Sequence, residues 1–255
     1  MSLPALLAPP STDAASLRGR VVVVTGGARG LGAAIAQVLG ESGARVVLAD
    51  HAIEAAQDRA AVLAERDIDA IAMPLDVTDA TACERTVETI RARFGRLDAL
   101  VNNAAIDVTA PLAELTIEQI HSVLATNLAG PFVMAKLCAA LMAGQPGGGH
   151  IVNIASTASK RAWPNASAYH ATKWGLLGLS HALHAELRPQ GIKVCAIVAG
   201  GMRTPFLLDR FPELDPGLLQ DPLNVARVVR FVLLQPEETV IPEVTVLPVR
   251  ETSWP

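Results

Sequence analysis

The chain has 255 residues, 51% hydrophobic and 18% charged, which excludes intrinsic disorder as its main state and fits one large α/β domain. Lys and Arg number 21 against 25 Asp and Glu, a formal charge of -4, so no basic excess serves a nucleic-acid partner. No uninterrupted apolar run approaches the ~18 residues of a membrane span, and no membrane association is expected. Cys83, Cys138 and Cys195 are odd in number, widely spaced and set among apolar neighbours. They read as reduced packing thiols of a cytoplasmic protein, and no metal-ligand spacing is present.

Residues 1–16 lack a basic n-region and are broken by prolines, so they read as a loose N-terminal extension to a single domain over 17–255. From there short β-branched runs alternate with longer amphipathic stretches. Strands are predicted at 21–25, 45–49, 70–75, 99–102, 150–154, 193–198 and 243–247. Helices are predicted near 31–42, 54–66, 80–94, 117–142, 168–188 and 222–234. This alternation predicts right-handed crossovers and a Rossmann-like, doubly wound parallel sheet of about seven strands with helices on both faces. Segment 202–221, rich in Pro, Leu and Phe, is too long for an ordinary connection and reads as a lid over a site.

Directly after the first strand stands Thr25-Gly26-Gly27-Ala28-Arg29-Gly30-Leu31-Gly32, and a helix follows. Glycines let backbone N–H groups approach a pyrophosphate, and a helix N-terminus adds partial positive charge. The spacing is GxxxGxG rather than GxGxxG. Asp50 ends the second strand, placed to accept hydrogen bonds from the adenosine ribose hydroxyls. Its carboxylate would repel a 2′-phosphate and so favours NAD over NADP; Arg29 argues the other way.

The lone tyrosine, Tyr169, precedes Lys173 by one helical turn. For proton transfer near pH 7 its pKa must fall by about 3, or about 4 kcal/mol. A lysine cation at ~5 Å in an effective dielectric of ~20 supplies ~3.3 kcal/mol. Ser156 follows the fifth strand, at the carboxyl edge where open α/β sheets bind ligands. His170, next to the tyrosine, points elsewhere on the helix and is given no direct role. His181 and His184 read as surface or interface histidines.

These residues, in this order, resemble the short-chain dehydrogenase/reductase family over about 17–248. The markers are TGGARGLG, Asp50, Asp76-Val77, Asn102-Asn103-Ala104-Ala105, Asn127, Ser156, Tyr169 with Lys173, and Gly200 through Thr204. The resemblance implies that Tyr169 is the general acid or base and that Ser156 hydrogen-bonds the reacting oxygen. Lys173 would lower the tyrosine pKa and bind the nicotinamide ribose, and Asn127 would hold a water in a proton relay. Gly26, Arg29, Gly30, Leu31 and Gly32 would cradle the cofactor, with Asp76 and Val77 flanking the adenine. Asn103, Ala104, Gly200 and Thr204 would bracket the rest. It also implies a small-molecule alcohol or carbonyl substrate, and a homodimer or homotetramer packed through helices 117–142 and 168–188.

Two positions depart from the family pattern: Ala199 replaces the usual proline before Gly200, and Ala105 the last glycine of the NNAG turn. Trp163, Met202 and Phe206, with Leu207, Leu208 and Phe211, suggest an apolar substrate wall. That wall suits a hydrophobic or mid-sized secondary alcohol or its ketone, since a sugar or polyol would want more polar side chains. The expected activity is NAD(H)-dependent oxidoreduction of such a pair. The alternatives are the same chemistry with NADP(H), or a nucleotide-binding regulator without turnover.

Overall fold

A computed structural model describes residues 16–250. The predicted N-terminal extension, apart from Ser16, lies outside the described residues.

The strands are β1 (Val21–Thr25), β2 (Arg45–Asp50), β3 (Ala70–Pro74), β4 (Ala99–Asn102), β5 (Gly149–Ser156), β6 (Ile192–Ala199) and β7 (Glu243–Val246). All pair in parallel in one sheet of order β3-β2-β1-β4-β5-β6-β7. Every residue of β1 is buried, as a strand covered on both faces requires. The helices are α1 (Gly30–Glu41), α2 (Ile53–Ala64), α3 (Ala80–Phe94), α4 (Ile117–Leu124), α5 (Gly130–Ala143), α6 (Ser167–Leu187), α7 (Pro205–Leu208) and α8 (Pro222–Leu233). One core layer packs α1 and α8 against the sheet, and the other packs α3 and α5 on the opposite face. Strand order reverses between β1 and β4, which opens a crevice at the carboxyl edge.

The single helix predicted over 117–142 is three segments. Thr116 starts α4 with a reciprocal capping box to Gln119. A π-helical turn, Ala125–Ala129, then carries one extra residue before α5. Pro131 explains it: proline has no N–H to offer the Asn127 carbonyl four residues back, and Gly130 N–H donates to the Ala125 carbonyl instead.

The axis nevertheless continues, and Ile117–Ala143 has a mean hydropathy of 1.4 over its best window, enough by length and composition to cross a membrane. It is not an uninterrupted apolar run, since Asn127, Gly130 and Lys136 break it, in keeping with the sequence reading. Met134, Ala135, Cys138 and Met142 of this helix are fully or almost wholly buried in the second core layer.

Beneath the crevice a polar chain ties three elements together. Asn102 Nδ2 donates to Asn153 Oδ1 at 2.9 Å, and Asn153 Nδ2 donates to Ser180 Oγ at 2.9 Å. Ser180 in turn donates to the Leu176 carbonyl at 2.6 Å. The segment after β6 is closed at its neck by a parallel bridge between Met202 and Gln220. Arg203 N–H donates to the Gln220 carbonyl at 2.9 Å, and Gln220 N–H to the Gly201 carbonyl at 3.1 Å.

Asn153→Ala removes both side-chain bonds from the centre of this buried network and leaves a cavity in their place. It should cost about 3 kcal/mol in urea unfolding. A loss under about 0.5 kcal/mol, the scale of surface substitutions, would show that the network does not hold β4, β5 and α6 together.

Candidate active site

A cleft of about 1000 Å³ runs along the carboxyl edge of the sheet, from the β1–α1 turn to the segment after β6. At one end the turn lies against the loop after β4. Gly32 sits so close to the Gly26 carbonyl that an added Cβ would be 2.0 Å from its oxygen. Gly26 has φ +63, and a Cβ there would meet Ala104 Cα at 3.0 Å. Asn103 locks the contact, its Nδ2 donating to the Thr25 carbonyl at 2.9 Å and the Gly26 carbonyl at 3.1 Å. Thr25 Oγ1 accepts from the backbone N–H groups of Asn103 and Ala104. Thr25 was not singled out from the sequence, although it opens the glycine motif.

No side chain caps the N-terminus of α1. With Gly26, Arg29, Gly30 and Leu31 on the cleft wall, the first turn of α1 is built to receive an anion. Gly32 does not border the cleft; it works behind the turn, by letting it close.

Further along, Asp50 is buried at the end of β2. Its Oδ2 accepts from Ala28 N–H and its Oδ1 from Ala52 N–H, both at 3.0 Å. Each carboxylate oxygen has room for more than one donor, so ribose hydroxyls fit there. Asp76 also lines the cleft, beside Val77. Its carboxyl is held below the usual range, chiefly by the Thr78 backbone N–H and then by the Thr78 hydroxyl. Gly200 and Thr204 border the opposite wall. β6 runs through Ala199, which pairs with Ser156 on one side and Val246 on the other.

Ser156, Tyr169 and Lys173 come together in the same cleft. Lys173 Nζ lies 5.5 Å from the centre of the Tyr169 ring and donates to the Ile154 carbonyl at 2.9 Å. The electrostatics differ from the sequence expectation. Burial pushes the phenol of Tyr169 up to about 12, and a hydrogen bond with Ser156 only partly opposes it. Asp107 raises it further, while Arg210 lowers it. Burial also brings Lys173 down from 10.5 to about 8, with Asp107 opposing. In the protein alone desolvation is the largest influence on both groups, and the expected depression of the tyrosine is absent.

Asn127 does not border the cleft. It lies in the π-helical turn, where its Oδ1 accepts from Ile106 N–H at 2.8 Å and its Nδ2 donates to the Ile106 carbonyl at 2.7 Å. The amide also reaches Thr172 Oγ1 at 3.3 Å, so it clasps the loop after β4 to α6.

Trp163, Met202 and Phe206 line the cleft as anticipated, and the Phe206 ring is 6.0 Å from that of Tyr169. His170 has a role the sequence did not show. Its Nε2 accepts from Trp163 N–H at 3.1 Å, which makes Nδ1 the protonated nitrogen, donating to the Ala158 carbonyl at 3.0 Å. The ring thus fixes the loop that carries Trp163.

The sequence reading also missed Asp107 and Arg210, which form an ion pair in the cleft wall. They are 103 residues apart in two irregular segments, and nothing in the chain's periodicity links them.

A model of the short-chain dehydrogenase family matches residues 20–214. An uncharacterized oxidoreductase of Thermotoga maritima is 36% identical over 227 residues, 84% of this chain and 88% of that protein. The D-threitol dehydrogenase of Mycolicibacterium smegmatis is 39% identical over 181 residues, 71% of this chain and 69% of its own. The crystal structure of a metagenomic short-chain oxidoreductase in complex with NADP superimposes with a TM-score of 0.81 at 32% identity, covering 91% of this chain and 98% of that one.

Holding a lysine in this site should weaken the fold at neutral pH. The folded pKa of Lys173, about 8, lies below its ordinary 10.5, so the unfolded chain binds more protons between those values and stability rises with pH across that window. Lys173→Met should be the more stable protein by urea unfolding at pH 7, with the gap narrowing above pH 8. A gap that does not change with pH would mean the lysine is not desolvated.

Proposed function

The chain belongs to the short-chain dehydrogenase family, and from that premise we propose that it is an NAD(H)-dependent oxidoreductase acting on a secondary alcohol and its ketone, with Tyr169 as acid and base. The observation that carries this reading is one continuous cleft with an uncapped helix N-terminus at one end and Ser156, Tyr169 and Lys173 further along.

When bound, NAD(H) supplies the hydride donor or acceptor and, when oxidised, a positive ring charge. The β1–α1 turn and α1 would hold the pyrophosphate, Asp50 the adenosine ribose, and Asp76 and Val77 the adenine side. In oxidation the Tyr169 phenolate takes the substrate hydroxyl proton as the carbon gives up hydride. In reduction the phenol returns that proton to the carbonyl oxygen. Ser156 hydrogen-bonds the same oxygen. The Lys173 cation holds the nicotinamide ribose and favours the phenolate.

A phenol pushed up by burial stays protonated at neutral pH, which is the form that reduction needs, though as a weaker acid. Oxidation draws on the small ionised fraction and should rise with pH.

A specific observation also favours NADP(H): Arg29 and His51 border the cleft near Asp50. Asp50 outweighs them, because it is buried, takes two backbone bonds and presents its carboxylate where a second anion would have to sit. Segment 202–221 acts as the lid. The exposed Ile117, Phe132 and Trp174 on α4, α5 and α6 support two-fold packing into a dimer or tetramer of a cytoplasmic enzyme.

Two experiments test the reading. Tyr169→Phe should abolish turnover in both directions while NADH still binds by fluorescence titration; full activity in that variant would end the assignment. Asp50→Ala should raise the NADP-to-NAD ratio of kcat/KM by about tenfold or more, since one removed anion contact is worth at least ~1.4 kcal/mol. An unchanged ratio would show that Asp50 does not choose the cofactor.

A further inference from the structure

The cleft wall beside Tyr169 holds one feature that hydride transfer does not require. Asp107, on the loop after β4, is half-buried with its side chain only 7% exposed, and is paired with Arg210 on the segment after β6. Arg210 is held on three other sides. Its guanidinium stacks on the Phe206 ring at 4.3 Å from the centroid, its Nε donates to the Phe206 carbonyl at 2.7 Å, and its Nη1 reaches Thr109 Oγ1 at 3.5 Å. Asp107 is fixed by its neighbour, because Asn127 grips both backbone groups of Ile106. One carboxylate oxygen takes the guanidinium. The other, Oδ1, is buried with no hydrogen-bond partner.

A buried carboxylate oxygen left unpaired is costly, so a donor belongs there. The surroundings select its chemistry. An ammonium would be repelled by Arg210, and a carboxylate by Asp107. An apolar group would leave Oδ1 unpaired. A neutral hydroxyl fits both charges, since it donates to Asp107 and accepts from Arg210. Both residues border the cleft that holds Tyr169, and Arg210 stacks on Phe206, whose ring is 6.0 Å from that of Tyr169, so a group held by them belongs to the same molecule as the reacting carbinol.

We propose that Asp107 and Arg210 form a subsite for a second substrate hydroxyl, which makes the substrate a diol or longer polyol rather than a simple alcohol. This rests on the dehydrogenase reading above and supplies the polar wall that the sequence alone did not reveal.

The test compares kcat/KM for 2,3-butanediol and 2-butanol with the wild-type protein and with the double variant Asp107→Leu/Arg210→Met. Removing both charges together avoids stranding one of them. Melting temperature and NADH titration monitor the fold. The wild type should prefer the diol by at least about tenfold, the scale of a hydrogen bond to a charged group. The double variant should bring the ratio near one, with the loss in KM for the diol. If the double variant does not fold, Arg210→Gln should lower the same ratio.

Equal use of both alcohols by the wild type would overturn the subsite while leaving the dehydrogenase reading intact. So would a preference for 3-hydroxybutyrate or 3-amino-2-butanol over the diol, or a double variant that keeps the diol preference. Turnover of none of these alcohols, with NADH still bound, would overturn the dehydrogenase reading and the subsite with it.

Discussion

Two backbone segments meet where no side chain can stand, and the cleft takes its shape from that contact. The turn after β1 folds back until Gly32 faces the Gly26 carbonyl, at a distance that excludes even a methyl group. The loop after β4 closes the other side and is held by Asn103 and Thr25. Because β1 and β4 are the strands at which the sheet order reverses, this contact lies at the only point where the crossovers part. The uncapped start of α1, the acid at the end of β2 and Ser156, Tyr169 and Lys173 beyond it all border the opening it leaves.

At Tyr169 two effects of similar expected size stand in opposition. A lysine cation about 5 Å away in a medium of effective dielectric ~20 is worth about 3 kcal/mol. Burial of the phenol and of the lysine itself acts against that attraction, and in the protein alone burial prevails for both groups. The phenol is left strongly protonated beside a cation only weakly so. Such a pair is sensitive to any further charge brought into the cleft, because the low-dielectric surroundings that cost both groups their charge also amplify a new one. Asp107 and Arg210 already act in opposite directions on the phenol, and their separation would change its acidity.

Most of the frame was legible in the sequence, because strand burial and helix amphipathicity leave periodic signals. All seven strands lie within two residues of their predicted limits at each end. The glycine turn, Asp50, Ser156 and Tyr169 could be placed because each stands at or near the end of such an element, and Lys173 because it lies one helical turn after Tyr169. What escaped has no period. The π-helical turn differs from an α-helix by a single residue, and the apolar pattern continues through it; Pro131 was the one visible sign. Asp107 and Arg210 lie in irregular segments and become neighbours only after folding. His170 was judged by the direction of its neighbour on the helix, whereas its contacts come from the loop that precedes the helix.

The pinched neck of segment 202–221 separates two kinds of change. Its ends are fastened to each other by the Met202–Gln220 bridge and by Arg203, whose Nη1 donates to the Leu219 carbonyl at 2.6 Å. Residues inserted or exchanged between those points alter a loop already closed, and the entropy of closing it grows only slowly with length. The sheet does not register the difference. A lineage built on this frame can therefore acquire new substrates by rewriting about twenty residues, as a tool changes its bit and keeps its motor.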